Sequence, residues 1–258
     1  MKVATLGTVE RVERLGWADG FRTFFQGFGF IVTRPSVWPY AAVPMLAACA
    51  LTVVLAVLGI WAAGDLVDAI FDAFGSAHEG GGYVATRIIV YVLVVGAAML
   101  LSSSLAQPLS GPALDRIVRA QEAASGRAPL ADAPFFESVR RSLKITLVTL
   151  AIGVPVFVTL SLVELLFPPA VVVTWPLKLV ASALLASWNL LDYPFGLRRM
   201  GFRQRFAFYR EHLGACFGFG VPVALIALIP FIGLLMLPVG VAGATRLVIA
   251  CEDAKERF

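Results

Sequence analysis

The stretch ITLVTLAIGVPVFVTLSLVELLFPPAVVVTWPLKLVASALLASWNLL, residues 145–191, carries two ionisable side chains, Glu164 and Lys178, in 47 positions. A helix needs about 20 apolar residues to cross the hydrocarbon of a bilayer. This run is long enough for two crossings, and Pro168-Pro169 divides it near the middle. Proline removes a backbone donor and interrupts a helix, so the pair marks a turn between two helical limbs. The apolar residues are continuous rather than alternating, which selects helices over the strands of a barrel.

The same pattern recurs on both sides. Downstream, LDYPFGLRRMGFRQRFAFYREH (residues 191–212) concentrates Arg198, Arg199, Arg203, Arg205 and Arg210 in a basic stretch, and a second apolar hairpin occupies 213–250 with its apex expected at IPFIG, 229–233. Upstream lie a span over 37–62, an acidic outer loop over 63–86 holding Asp65, Asp68, Asp72 and Glu79, and a second span over 87–107. Residues 108–144 form a basic segment with Arg116, Arg119, Arg127, Arg140, Arg141 and Lys144. The first 36 residues are a polar leader with Lys2, Arg11, Arg14, Arg22 and Arg34, and 251–258 is a short charged tail. The basic clusters fall on one side of an even number of crossings, as the positive-inside rule requires. That predicts a single multi-pass membrane domain with both termini in the cytoplasm.

Composition agrees. Of 258 residues, 59% are hydrophobic and 15% charged, with a mean hydropathy of +0.84; soluble domains average about 45–50% apolar and about 25% charged. The net charge of +4 therefore reads as membrane topology rather than affinity for nucleic acid. The fold class is all-α: a polytopic helical membrane protein with two long transmembrane helices and two apolar helical hairpins. Pro155, Pro176, Pro222 and Pro238 interrupt the hairpin limbs, which leaves open whether these cross fully or penetrate part-way. In the leader, Phe21, Phe24, Phe25, Phe28 and Ile31 recur at helical spacing, predicting an amphipathic helix whose aromatic face meets either the membrane interface or the protein's own core.

Catalytic patterns are scarce. Two histidines, His78 and His212, stand apart, and no metalloprotease, nucleophile-elbow, phosphate-loop or paired-carboxylate pattern occurs. Cys49, Cys216 and Cys251 lack metal-ligand spacing and are expected to be small buried hydrophobes. No enzyme, metal or cofactor is expected. Two sets of residues stand out instead. The arginines at the membrane surface anchor the loop to anionic headgroups, or they attract a small anion. Glu164 and Lys178, within apolar helices, either snorkel to the outer interface or line a path.

The carboxyl-terminal third resembles the CysZ/EI24-domain family. The shared pattern is Asp192-Tyr193-Pro194-Phe195, a basic stretch, Phe219-Gly220, Ile229-Pro230, Pro238 and Gly243-Ala244-Thr245, with a second match over AQPLSGPALDRIV, 106–118. The resemblance implies a bacterial inner-membrane protein, assembled as a homo-oligomer in the lipid bilayer, that passes sulfate or a related small inorganic anion toward cysteine biosynthesis. Arg34, Arg198, Arg199 and Arg203 would then gather the anion at the cytoplasmic mouth. Members read as sulfate permeases carry P-G-[IL]-R-R before the first span, where this chain has Pro35-Ser36-Val37-Trp38-Pro39. The alternative is a membrane interaction or organising protein that keeps the fold without transport.

Overall fold

The computed structural model describes residues 15–74, 79–128, 130, 134–229 and 232–256. Ten α-helices are present among them: α1 (Trp17–Thr33), α2 (Trp38–Ala73), α3 (Gly81–Leu109), α4 (Gly111–Ala124), α5 (Phe135–Leu166), α6 (Val171–Leu197), α7 (Phe202–Glu211), α8 (Leu213–Ala227), α9 (Ile232–Leu235) and α10 (Leu237–Glu256). The leader residues Lys2, Arg11 and Arg14, His78 of the outer loop and Pro230 of the second apex lie outside the described residues.

Four helices are long and apolar enough to cross a bilayer: α2, α3, α5 and α6. Both limbs of the first hairpin therefore reach full span length, with a 3₁₀ turn at Pro168–Ala170 between them. The second hairpin differs. Helix α8 has 15 residues, about 22 Å at 1.5 Å per residue, short of the ~30 Å hydrocarbon core. Its return limb, α10, is covered on every side from Pro238 through Thr245.

The core gathers Phe24 of α1, Leu114 and Ile117 of α4, Leu191 and Phe195 of α6, Phe208 of α7, Phe219 of α8 and Leu247 of α10. Helices α2 and α3 pack on each other, share a Thr52–Ser102 hydrogen bond of 2.5 Å, and touch the apex of the second hairpin through Ala48, Ala106 and Leu234. Between apolar helices surrounded by lipid, close packing rather than escape from water holds the contact, so small residues mark the seams. A Cβ at Gly20 would strike the backbone carbonyl of Ala215, one at Gly218 the carbonyl of Trp17, and one at Gly220 the carbonyl of Ala183. Those three positions bring α1, α6 and α8 to backbone contact.

Local expectations gain detail, and some need correction. The segment 63–86 is mostly helix, since α2 continues to Ala73 and α3 begins at Gly81; apolar residues interleave with the aspartates there, and Tyr83 donates to Asp68 at 2.5 Å across the two helices. Helix α5 starts at Phe135 and α4 fills 111–124, so the basic segment 108–144 is largely helical. The basic stretch 192–212 is likewise the end of α6, a turn, and α7. Helix α1 forms as expected, but Gly20, Thr23, Phe24, Gly27 and Phe30 are its buried residues, while Phe21, Phe25 and Phe28 are exposed. Gly20 and Gly27 meet neighbouring backbones, Phe24 and Phe30 fill the space beside them, and Phe21, Phe25 and Phe28 are left on the outer side. Cys49 is exposed on α2, while Cys216 and Cys251 are buried.

Candidate functional site

The whole Asp192-Tyr193-Pro194-Phe195 segment is buried at the end of α6. The helix then stops in a left-handed turn: Arg199 has φ 53°, its amide donates to Gly196 O at 3.0 Å, and the Met200 amide donates to Phe195 O at 3.0 Å. Glycine is the usual residue at such a position. A residue with a Cβ costs roughly 1 kcal/mol there. The turn sends two adjacent arginines in different directions.

Arg198 enters a closed ion-pair network. It lies 2.5 Å from Glu122 of α4 and 3.3 Å from Glu252 of α10, and Arg127 bridges Glu252 and Asp253 at 2.5 Å each. Glu122 is 2% exposed; burial pushes its carboxyl pKa up while the Arg198 guanidinium pulls it back. The network clamps the ends of α4, α6 and α10 together.

Arg199 instead lines a cavity of about 670 Å³ between the first turns of α5, the end of α6 and α7. Arg140, Arg141 and Lys144 of α5 and Arg205 of α7 join it, opposed by Glu137 and Asp192, against an apolar wall that includes Val148, Trp188 and Phe202. Two of these cations are already paired. Arg141 meets Asp115 at 2.7 Å, with Ser138 donating to the same carboxylate at 2.5 Å. Arg205 pairs with Asp192 and donates to Met200 O at 2.8 Å. Burial lowers the Arg205 pKa, and the neighbouring Arg141 lowers it further. Gly196 makes room for the crowding, since a Cβ there would lie 2.5 Å from Arg141 Nε. Arg140, Lys144 and Arg199 form no ion pair among the described residues. A partly enclosed site with uncompensated positive charge concentrates anions, and guanidinium groups hold tetrahedral oxyanions with directed hydrogen bonds.

The sequence candidates are thus divided. Arg199 reaches the cavity. Arg198 belongs to the ion-pair clamp, and Arg203 is exposed on α7, away from the cavity lining. Arg34 caps the end of α1, exposed, with its guanidinium 5.0 Å from the Phe30 ring centre. Glu164 and Lys178 meet across the first hairpin at 2.6 Å, and Thr174 also donates to Glu164. Sequence reading missed Arg140, Lys144 and Arg205 as site residues. The signal for Arg140 and Lys144 was the ESVRRSLK segment at the entrance to an apolar limb, read there as topology alone, and Arg205 stood within the basic stretch 191–212 without being singled out. Among the described residues, no group of three or more His, Cys, Asp or Glu is arranged to hold a metal ion.

Comparison with known proteins gives a consistent assignment. The family described as "Sulfate transporter CysZ/Etoposide-induced protein 2.4" matches residues 23–238. A sulfate transporter CysZ of Pseudomonas paraeruginosa is 27% identical over 169 residues, 65% of this chain and 68% of that protein. The same-named protein of a Pseudomonas aeruginosa strain is 26% identical over equal shares. A sulfate transporter CysZ of Pectobacterium atrosepticum is 39% identical over 66 residues, 26% of this chain and 24% of that protein.

Proposed function

The chain belongs to the CysZ/EI24 family, and from that premise we propose that it is a permease or channel for sulfate or a related small oxyanion, feeding cysteine biosynthesis. The observation that carries this reading is the 670 Å³ cavity with three cations that have no carboxylate partner among the described residues. The charge supplies attraction at the mouth. Arg141 and Arg205, already paired, set its shape. Uncompensated cations at the entrance raise the local anion concentration without requiring tight binding, and a conducting site must release what it captures.

The protein then lies in the bacterial inner membrane as a homo-oligomer, with its basic ends and both termini in the cytoplasm and without enzymatic chemistry or a nucleic-acid partner. The helix ends bearing Arg140, Arg141, Lys144 and the arginines of residues 198–210 support this orientation. Ser36-Val37-Trp38-Pro39, in place of the expected arginine pair, favours a second reading as a non-transporting interaction protein.

The decisive experiment is sulfate uptake into proteoliposomes containing this protein alone, with Arg199→Gly alongside. Glycine suits the left-handed turn, so the variant removes the charge while its unfolding midpoint stays level or rises, by about 1 kcal/mol of stability. The expected result is saturable uptake that falls about tenfold in the variant. Uptake no greater than in empty liposomes would move the assignment to the interaction protein. Uptake unchanged in both Arg199→Gly and Lys144→Gln would remove the cavity from the path.

A further inference from the structure

The basic cavity has a neighbouring space on its inner side. It shares Ile145 and Asp192 with a much smaller space of about 20 Å³. That space in turn shares Gln107, Asn189, Leu190 and Leu237 with a cavity of about 440 Å³ beneath the apex of the second hairpin. Two larger chambers thus border one small space, a neck between them, whose polar side chains include Gln107 of α3, Ser142 and Thr146 of α5 and Asn189 of α6. We infer that this neck, with Asn189 and Gln107 as its donors, is the gate and selectivity element through which an oxyanion leaves the basic cavity. The inference rests on the permease reading and adds to it the residues that choose and admit the ion.

Chemistry and dimensions both lead there. The neck has room for about one water molecule, too little for a tetrahedral oxyanion, so the path is closed in this conformation. Its donors are neutral. Thr149 donates to Asn189 Oδ1 at 2.8 Å, which occupies the carbonyl and leaves the amide NH₂ to donate elsewhere. Asp192, the carboxylate at the border with the basic cavity, is neutralised by Arg205. An anion drawn in by Arg140, Lys144 and Arg199 would therefore pass from charged to uncharged donors, held closely enough to shed water and weakly enough to leave. Helix α6 is also interrupted beside the neck. Pro194 has no amide proton for the carbonyl of Leu190, a neck residue, so a helix bend is favoured at that turn. Pro108 stands next to Gln107 in the same way.

The test is thiol labelling at the neck in reconstituted full-length protein with Cys49, Cys216 and Cys251 replaced by alanine. Asn189→Cys is exposed to an anionic methanethiosulfonate (the sulfonatoethyl reagent) and to its cationic trimethylammonium counterpart, with Leu150→Cys on the exposed face of α5 as the bilayer control. The neck predicts labelling by the anionic reagent about tenfold faster than by the cationic one, a ratio that falls toward one in Arg140→Gln/Lys144→Gln/Arg199→Gln, and no labelling of the control. Equal rates, or no labelling in protein that elutes as a single folded species, would overturn it; Gln107→Cys reads the same neck if Asn189→Cys does not fold. Sulfate flux separates the two readings. Wild-type flux in Asn189→Leu would remove the neck and leave the permease. Anion-selective labelling in a protein without sulfate flux would leave the neck and remove sulfate.

Discussion

The two hairpins share one sequence grammar and end in opposite places. Each has two apolar limbs, a proline within each limb and a proline at the apex. Helices α5 and α6 stand outward, with 6% of the most apolar window of α5 buried. Helix α8 is short, and α10 is enclosed from Pro238 through Thr245. What separates them is residue size rather than hydropathy. Residues 145–191 contain one glycine, Gly153, whereas 213–250 contain Gly214, Gly218, Gly220, Gly233, Gly240 and Gly243. In lipid an apolar side chain gains nothing by turning inward. A glycine gains a close neighbour.

That contrast can be broken at Gly218. Gly218→Leu should abolish recovery of monodisperse protein from membranes in detergent, because its side chain would have to displace the α1 backbone at Trp17. Normal recovery would mean that the second hairpin is not held by backbone approach. Next in size is Arg198→Ala, which unpairs Glu122 at the clamp joining the base of the second hairpin to α6. Removing one partner of a buried pair costs about 3 kcal/mol, read as a lowered thermal midpoint. A neutral result would make the clamp ornamental.

In the first hairpin the expected losses are smaller. Lys178→Met should lower the thermal midpoint by less than Arg198→Ala does, by leaving Glu164 without its partner among apolar helices, and Glu164→Gln/Lys178→Met should recover most of the loss. Transport lost in a double variant that is as stable as wild type would instead place the pair on the ion path. Smallest of all, Gly153→Ala meets only the Leu185 methyl at 3.2 Å and should shift stability by less than about 1 kcal/mol. A loss as large as at Gly218 would erase the distinction between the hairpins.

Much of the fold was legible because bilayer thickness sets helix length. Residues 145–191 announced two limbs and a proline turn, and α5, α6 and Pro168–Ala170 follow that reading. The orientation of α1 was not legible from its apolar period, because Phe21 and Phe28 satisfy a lipid neighbour as well as a protein one. Gly20 and Gly27 carried the information, but only with Ala215 and Gly243 in place did it become readable. The site was half legible. Sequence shows five arginines as one block, and a single left-handed residue then divides Arg198 from Arg199. Arg140 and Lys144 join Arg199 from a helix more than fifty positions earlier, a meeting that the pairing of α5 with α6 creates.

The backbone seam of α1 also bears on how the protein is made. Gly20 and Gly27 emerge from the ribosome early, yet they dock on Ala215 and Gly243, some two hundred residues later in the chain. At about 5–20 residues per second, the first helix waits roughly ten to forty-five seconds for the surface that receives it. Its exposed rings at Phe21, Phe25 and Phe28 suit the headgroup layer, where an amphipathic helix would wait. Biogenesis closes the molecule by returning to its beginning, so a nascent chain halted before α8 would hold four inserted spans and an undocked first helix.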